Sequence, residues 1–240
     1  MIDVGAYSTR PGAAEVTADE ELARLSWALP IVRQTLAEAG SEVLISVDTY
    51  RAHVAEVCIE QLDADIINDV SGGTLDAEML DVVARTGAPF ILMHMRGTPQ
   101  TMQQLTDYPQ GVTHEVIAFF RQQISRLENC IGKWHPELSL ADYQIILDPG
   151  YGFAKTLEQN YELMVGLDAI REALPGYPVL VGVSRKSMIY RLLGIDAQQA
   201  LNGTTVLNTY ALLHGADILR VHGVREAWEA IEITKALKLR

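Results

Sequence analysis

Residues 43–70 read VLISVDTYRAHVAEVCIEQLDADIINDV. Two short apolar runs, 43–48 and 65–70, flank a stretch, 51–62, whose apolar residues recur at helical spacing. Near-continuous apolarity is what a strand buried on both faces requires, and such strands belong to parallel sheets. Each run also carries polar residues at its end: Asp48 closes the first, and Asn68 and Asp69 stand near the close of the second. The unit is therefore β–α–β, with chemistry where the strands stop.

The same unit recurs outward from this stretch in both directions. Strands are expected at 1–5, 43–48, 65–70, 89–94, 144–148, 179–184 and 218–222. Helices are expected between and after them, at about 17–39, 51–62, 77–86, 111–131, 157–174, 197–214 and 225–238. Thr17-Ala18-Asp19-Glu20 has the form of a capping box opening the first helix, and Gly40 stops it. No Ser/Pro-rich linker, composition shift or low-complexity run divides the chain, so residues 1–240 are read as one domain. Repeated βα units leave two architectures, a (β/α)8 TIM barrel and a doubly wound sheet. Seven units is one short of a closed ring, and an open edge strand at residues 1–5 would invite aggregation. The reading taken is an α/β (β/α)8 barrel whose first βα unit is absent from this chain, an N-terminally truncated domain.

Composition narrows the function classes. The 240 residues carry a net charge of −12, which argues against a nucleic-acid or anionic-membrane surface. No apolar stretch approaches the ~20 residues of a membrane helix, and the N-terminus lacks a basic region followed by an apolar core. Two cysteines, Cys58 and Cys130, make no disulfide framework and fit a reducing cytoplasm. Cys58 falls in a helical pattern as a small apolar residue.

The strand ends carry the functional signal. Asp48, Asn68 with Asp69, His94, Asp148, Ser184-Arg185-Lys186, and Arg220 with His222 stand at or just after successive strand ends. C-terminal strand ends are where a barrel keeps its catalytic groups. Any single Asp there could be a helix cap, but six such ends in register are not explained that way. Asp48, Asn68 and Asp148 suit a planar heterocycle with donor and acceptor edges. Arg10, Lys186, Arg220 and His222 suit phosphate. Together they describe a flat, nitrogen-rich ring carrying a phosphoryl tail.

Three loops add to the pattern. Residues 8–13 (STRPGA) present Thr9 and Arg10 on a turn set by Pro11 and Gly12. Asp148-Pro149-Gly150-Tyr151-Gly152-Phe153 has two glycines that let backbone approach a ligand, and Phe153 as an apolar wall. Residues 95–110 are long for a βα connection. His53, His94, His114, His135 and His214 are scattered without metal-ligand spacing, and no nucleophile elbow supports a serine triad.

At these residues the chain resembles the dihydropteroate synthase family, the pterin-binding barrels of folate synthesis. The matching segments are 3–13, 45–49, 67–73, 93–99, 147–155, 182–187 and 216–222, in family order and across almost the whole chain. The resemblance implies a (β/α)8 barrel that condenses 6-hydroxymethyl-7,8-dihydropterin diphosphate with 4-aminobenzoate, giving 7,8-dihydropteroate and pyrophosphate with help from Mg²⁺. It further implies pterin contacts from Asp48, Asn68, Asp148 and Lys186, and diphosphate contacts from Asn68, Arg220 and His222. The aminobenzoate and sulfonamide region would fall to Thr9, Arg10, Pro11, Phe153, Lys186 and Ser187. Lys186, Asp148, Arg220 and His222 would carry the catalysis. A homodimer in the cytoplasm, with sulfonamide inhibitors, is the family habit.

Two departures stand out. Family members usually begin with a strand and loop whose Asn binds Mg²⁺; this chain lacks that segment, so no metal ligand is expected within it. Gly223 stands where the family usually has Asp. Two other readings are a methyltetrahydrofolate-binding methyltransferase barrel and a non-catalytic pterin-binding paralogue. Thr9-Arg10-Pro11-Gly12 and Ser184–Ser187, as aminobenzoate and diphosphate elements, speak against the first. Turnover would separate the second.

Overall fold

The computed structural model describes residues 1–7 and 15–238. The chain forms two compact units, Met1–Thr101 with Phe120–Ile146, and Met102–Phe119 with Leu147–Arg240.

The first unit opens with β1 (Ile2–Gly5), α1 (Ala18–Glu38), β2 (Ile45–Asp48), α2 (Ala52–Gln61), β3 (Ile66–Asp69), α3 (Met79–Thr86) and β4 (Phe90–Met93). The strands pair in parallel in chain order, with Gly5 beside Asp48, Asp48 beside Asn68, and Asn68 beside Ile91. β3 and β4 are buried along their whole length, the polar Asn68 and Asp69 of β3 included. β1, which pairs on one side with β2, is only half-buried at its centre and exposed at Ile2. Leu25 and Leu29 of α1, Ile45 and Val47 of β2, and Val54 and Cys58 of α2 form one closed apolar cluster. At about 25 cal/mol per Å² such burial is the main force holding helices onto the strands.

The cap of α1 is half of what its sequence suggests. The Thr17 hydroxyl accepts the Glu20 N–H at 3.2 Å, but the Glu20 carboxylate turns outward to Arg24 instead of closing the box.

α4 (Val112–Trp134) starts in the second unit and ends in the first, and β5 (Ile145–Asp148) crosses back. It is followed by α5 (Leu157–Val165), α6 (Leu167–Ala173), β6 (Leu180–Val181), α7 (Ser187–Leu193), α8 (Leu201–Leu213), β7 (Ile218–Leu219) and α9 (Val224–Lys238). Leu147 bridges Val179, and β6 pairs in parallel with β7.

Three expectations need correction here. The helix expected over 157–174 is two helices broken at Gly166, where a β-carbon would lie 2.3 Å from the Thr113 hydroxyl. The helix expected over 197–214 begins as a 3₁₀ turn, Ala197–Gln199, before α8. α7, absent from the sequence reading, runs seven residues and stops at Gly194, whose φ of 64° is the left-handed C-terminal signal. The last two strands are also short: β7 ends at Leu219, ahead of Arg220 and His222.

Candidate active site

In the second unit, the chain from Asp148 to Lys155 is locked by side chains at almost every residue. Gly150 and Gly152 take φ of 71° and 85°, a region that strains any residue with a β-carbon. Asp148, buried at the end of β5, accepts the Gly150 N–H at 2.8 Å. Asn160 of α5 accepts the Gly152 N–H at 2.6 Å. Tyr108 donates to the Ala154 carbonyl at 2.9 Å, and Ala154 itself has φ of 51°. Lys155 donates to the Gly150 and Phe153 carbonyls at 2.9 and 3.0 Å.

Lys186 reaches into this loop from the turn after β6. Its ammonium donates to the Tyr151 carbonyl and lies 4.9 Å from the centre of the Phe153 ring. Arg185 before it has φ of 53°, held by its N–H to the Thr204 hydroxyl at 3.0 Å. Left-handed backbone at a residue with a β-carbon costs free energy and gathers where a side chain must be aimed.

Charge in this site is balanced by opposites. Burial pushes the Asp148 carboxyl above the usual range, and Lys186, the Gly150 N–H, Arg220 and Lys155 pull it back. Burial likewise pushes Lys186 down to about 8, with Asp148 raising it and Arg220 lowering it further. Asp148, Lys186 and Arg220 are thus within electrostatic reach of one another. Arg220 and His222 are exposed.

Past β7 the sheet ladder ends in a side chain. The Arg220 N–H still donates to the Val181 carbonyl at 3.0 Å, but the His222 N–H donates to the Ser184 hydroxyl at 3.2 Å. The same hydroxyl is hydrogen-bonded to His222 Nδ1 at 2.9 Å. Ser184 therefore holds both the backbone and the ring of His222. Ser187 is the first residue of α7.

In the first unit, Asp48 and Asn68 are register partners on β2 and β3. A β-carbon on Gly5 would lie 3.2 Å from that of Asp48, so a side chain there would press on Asp48. The buried Asn68 amide donates to both oxygens of Asp3 at 3.2 Å, turning its carbonyl the other way. Asp3 opens the matching segment 3–13; its partnership with Asn68 becomes visible only once β1 and β3 flank β2 in the sheet. Thr9, Arg10 and Pro11 lie outside the described residues. The described residues on either side of them share one anchor: Arg51 stacks on the Tyr7 ring at 5.2 Å, donates to the Val16 carbonyl at 2.6 Å, and pairs with the buried Glu21.

Among the described residues no group of three or more His, Cys, Asp or Glu side chains could hold a metal ion.

An α/β chain with carboxylates, an amide and cations at its strand ends has the equipment of a barrel enzyme for a polar ring with an anionic tail. A family model described as "Pterin binding enzyme" matches residues 1–222. The chain belongs to that family, whose fold is the (β/α)8 barrel, and seven parallel strands with their helices lie among the described residues. Among the relatives, the dihydropteroate synthase of Synechocystis sp. is 42% identical over 238 residues, covering 99% of this chain and 76% of that one. A Yersinia pestis dihydropteroate synthase, solved with a sulfonamide drug complex, superposes with a TM-score of 0.87 at 36% identity, covering 100% of this chain and 80% of that one. The dihydropteroate synthase from Anaplasma phagocytophilum, with bound 6-hydroxymethylpterin-monophosphate, gives 0.84 at 32% identity, covering 98% and 87%. Within the family the chain accordingly stands with the dihydropteroate synthases, transferases of folate biosynthesis.

Proposed function

We propose that the chain joins 4-aminobenzoate to 6-hydroxymethyl-7,8-dihydropterin diphosphate, releasing pyrophosphate, with the residues of the two strand-end clusters in the following roles. Asp148 accepts hydrogen bonds from the amino group and ring N–H of the pterin. Asp48 and Asn68 meet the other ring nitrogens, and Lys186 the ring oxygen and nitrogen. Arg220 and His222, with Asn68, take the diphosphate. Phe153, Lys186 and Ser187 border the aminobenzoate, together with Thr9, Arg10 and Pro11.

The chemistry follows from where charge develops. As the C–O bond to the diphosphate breaks, positive charge grows on the exocyclic carbon and is shared with the electron-rich dihydropterin. The carboxylates of Asp148 and Asp48 stabilise that charge. Lys186, Arg220 and His222 stabilise the departing pyrophosphate, where one preorganised donor is worth about 3 kcal/mol. The aniline nitrogen attacks the carbon as a neutral nucleophile and gives up its proton to solvent. Mg²⁺ has no cage of protein carboxylates and imidazoles among the described residues. It would be carried by the diphosphate with water, and no step here runs through it.

The observation that supports this reading best is Asp148: a buried carboxylate with one oxygen spent on its own loop and three cations around it. The test is formation of dihydropteroate from the two substrates by the wild-type chain, and its loss in Asp148→Asn and Lys186→Ala. Wild-type rates in either variant overturn the assignment. Ligand binding without turnover by the wild-type chain would make it the non-catalytic paralogue. By the same reading the sulfonamides, one of which is bound in the Yersinia pestis relative, act on this chain at the aminobenzoate end.

The reading also includes a homodimer and a cytoplasmic setting. Support for the dimer is the exposed apolar surface of α7 and α8: Leu192, Leu193, Val206 and Leu213 stand in solvent. Sedimentation at micromolar concentration tests it. Support for the setting is that both cysteines are unpaired; no described helix is long and apolar enough to cross a membrane.

A further inference from the structure

Lys155 is 4% exposed, and no role in binding or chemistry falls to it in the reading above. A buried ammonium is expensive unless it is hydrogen-bonded and paired, so its partners reveal what it is kept for. Two of them are main-chain carbonyls three residues apart, Gly150 and Phe153, at 2.9 and 3.0 Å. Gly150 is also the residue whose N–H is bound by Asp148. Phe153 is the residue whose ring lies against the Lys186 ammonium. One side chain thus ties the backbone behind the carboxylate to the backbone behind the aromatic wall.

The preceding residue is built for this. Ala154 sits in left-handed backbone, and its carbonyl is held by Tyr108. The Asn160 amide is near the Lys155 carbonyl at 3.4 Å and bonds the Thr156 carbonyl at 2.6 Å. The local chain is bent so that a lysine points back into its own loop. Asp148, bonded to the same Gly150 whose carbonyl takes Lys155, is a buried carboxylate that needs countercharge, and Lys186, whose influence on it is larger, is the one assigned to substrate.

We infer that Lys155 is a positioning residue: it fixes the Gly150–Phe153 loop in its binding shape and is the resident counter-cation of Asp148. Lys186 is thereby left to serve the pterin. The inference rests on the reading of Asp148 as the pterin acceptor.

The groups that face Asp148 are Lys186 from the turn after β6, Arg220 from beyond β7, and Lys155 and the Gly150 N–H from its own loop. Removing Lys155 takes away one of four influences that favour the carboxylate. The acid limb of the kcat/KM profile for the dihydropterin diphosphate must then move to higher pH. Lys155→Met loses both donor and charge: kcat/KM is expected to fall between about ten- and a hundredfold, as for a misplaced loop, with the acid limb displaced. Lys155→Gln keeps a donor without the charge, so it should recover much of the rate while keeping the displaced limb. Lys155→Arg should leave the limb at its wild-type position.

A fall in rate with an unmoved limb in both Met and Gln variants would mean that Lys155 is only structural, and would overturn the inference. Wild-type profiles throughout would do the same. If Lys155→Met does not fold, Lys155→Gln against Lys155→Arg still decides the matter. Asp148→Asn separates the two levels: wild-type activity there removes the underlying reading, whereas its loss beside an unmoved limb in the lysine variants removes only this inference.

Discussion

Asp69 and Asp148 are each the last residue of a buried strand, and each is desolvated, yet their oxygens are spent differently. Asp69 is fully buried and accepts three hydrogen bonds from its own loop: the Ser71 N–H at 2.7 Å, the Ser71 hydroxyl at 2.8 Å and the Gly73 N–H at 2.6 Å. Asp148 accepts one, from Gly150, and is otherwise surrounded by cations from three separate turns. Asp69 folds the turn that follows it. Asp148 keeps acceptor capacity for something that is not part of the chain. Position at a strand end makes a residue a candidate; hydrogen-bond accounting decides what it does.

The largest effect should come from exchanging the two. Asp148→Asn keeps the shape but removes the charge and puts a donor among donors, so kcat/KM is expected to drop by about a thousandfold with the denaturation midpoint nearly unchanged. Asp69→Asn should show the reverse pattern. It faces buried N–H groups with an amide, costing about 2 kcal/mol of stability, while kcat/KM stays within about tenfold. Comparable losses of activity in both would break the distinction.

A second difference lies in pH. Burial pushes the Asp69 carboxyl up to about 6 against the hydrogen bonds that oppose it. A carboxyl raised in the folded state binds more protons there than in the unfolded chain between about pH 4 and 6, so stability falls as pH rises through that window. The stability gap between wild type and Asp69→Asn should therefore narrow from pH 4 to pH 7, by up to about 3 kcal/mol. Urea denaturation of both proteins at the two pH values measures it. A constant gap would mean the carboxyl titrates normally.

What the sequence made legible was the period and the punctuation. Apolar runs of buried strands, the Thr17 cap, Gly40, and polar residues at strand ends are local signals, and they recur in the structure. What it hid is set by partners far along the chain. The residue at the helix break, Gly166, has no room for a side chain because Thr113 occupies the space. Asp69 and Asp148 look alike in sequence, since nothing local says how many N–H groups will turn toward each. Nothing local in sequence marks Lys155 as buried; the left-handed backbone at Ala154 points it inward. α7 could have been found from Gly194, which directly follows Leu192-Leu193 in the same punctuation as other helix ends.

Lys186 extends the comparison to the cation that Asp148 faces. Burial, tempered by Asp148, brings it down to about 8. If the ammonium form is what meets the pterin, kcat/KM is level below that value and declines as pH rises through it. Lys186→Arg, charged throughout, should lose rate through geometry but remove the decline. A decline that survives in Lys186→Arg would assign it to another group.

The smallest expected effect concerns Ser184. Its hydroxyl accepts the His222 N–H and is bonded to Nδ1 of the ring, so it takes the place of the next rung of the β6–β7 ladder. Like Asp69 it is a buried polar group satisfied within the chain, but the group that it satisfies is one assigned to the diphosphate. Ser184→Ala removes the hold on the ring while leaving the His222 N–H near the surface, where water can replace the lost acceptor. The cost should be about 1 kcal/mol, seen as a roughly fivefold weaker affinity for pyrophosphate with little change in stability. Ser184→Thr, which restores the hydroxyl, should recover most of it. If pyrophosphate binds Ser184→Ala as tightly as wild type, the orientation of His222 is set by its own backbone and the hydroxyl belongs with Asp69, among the groups that only close a turn.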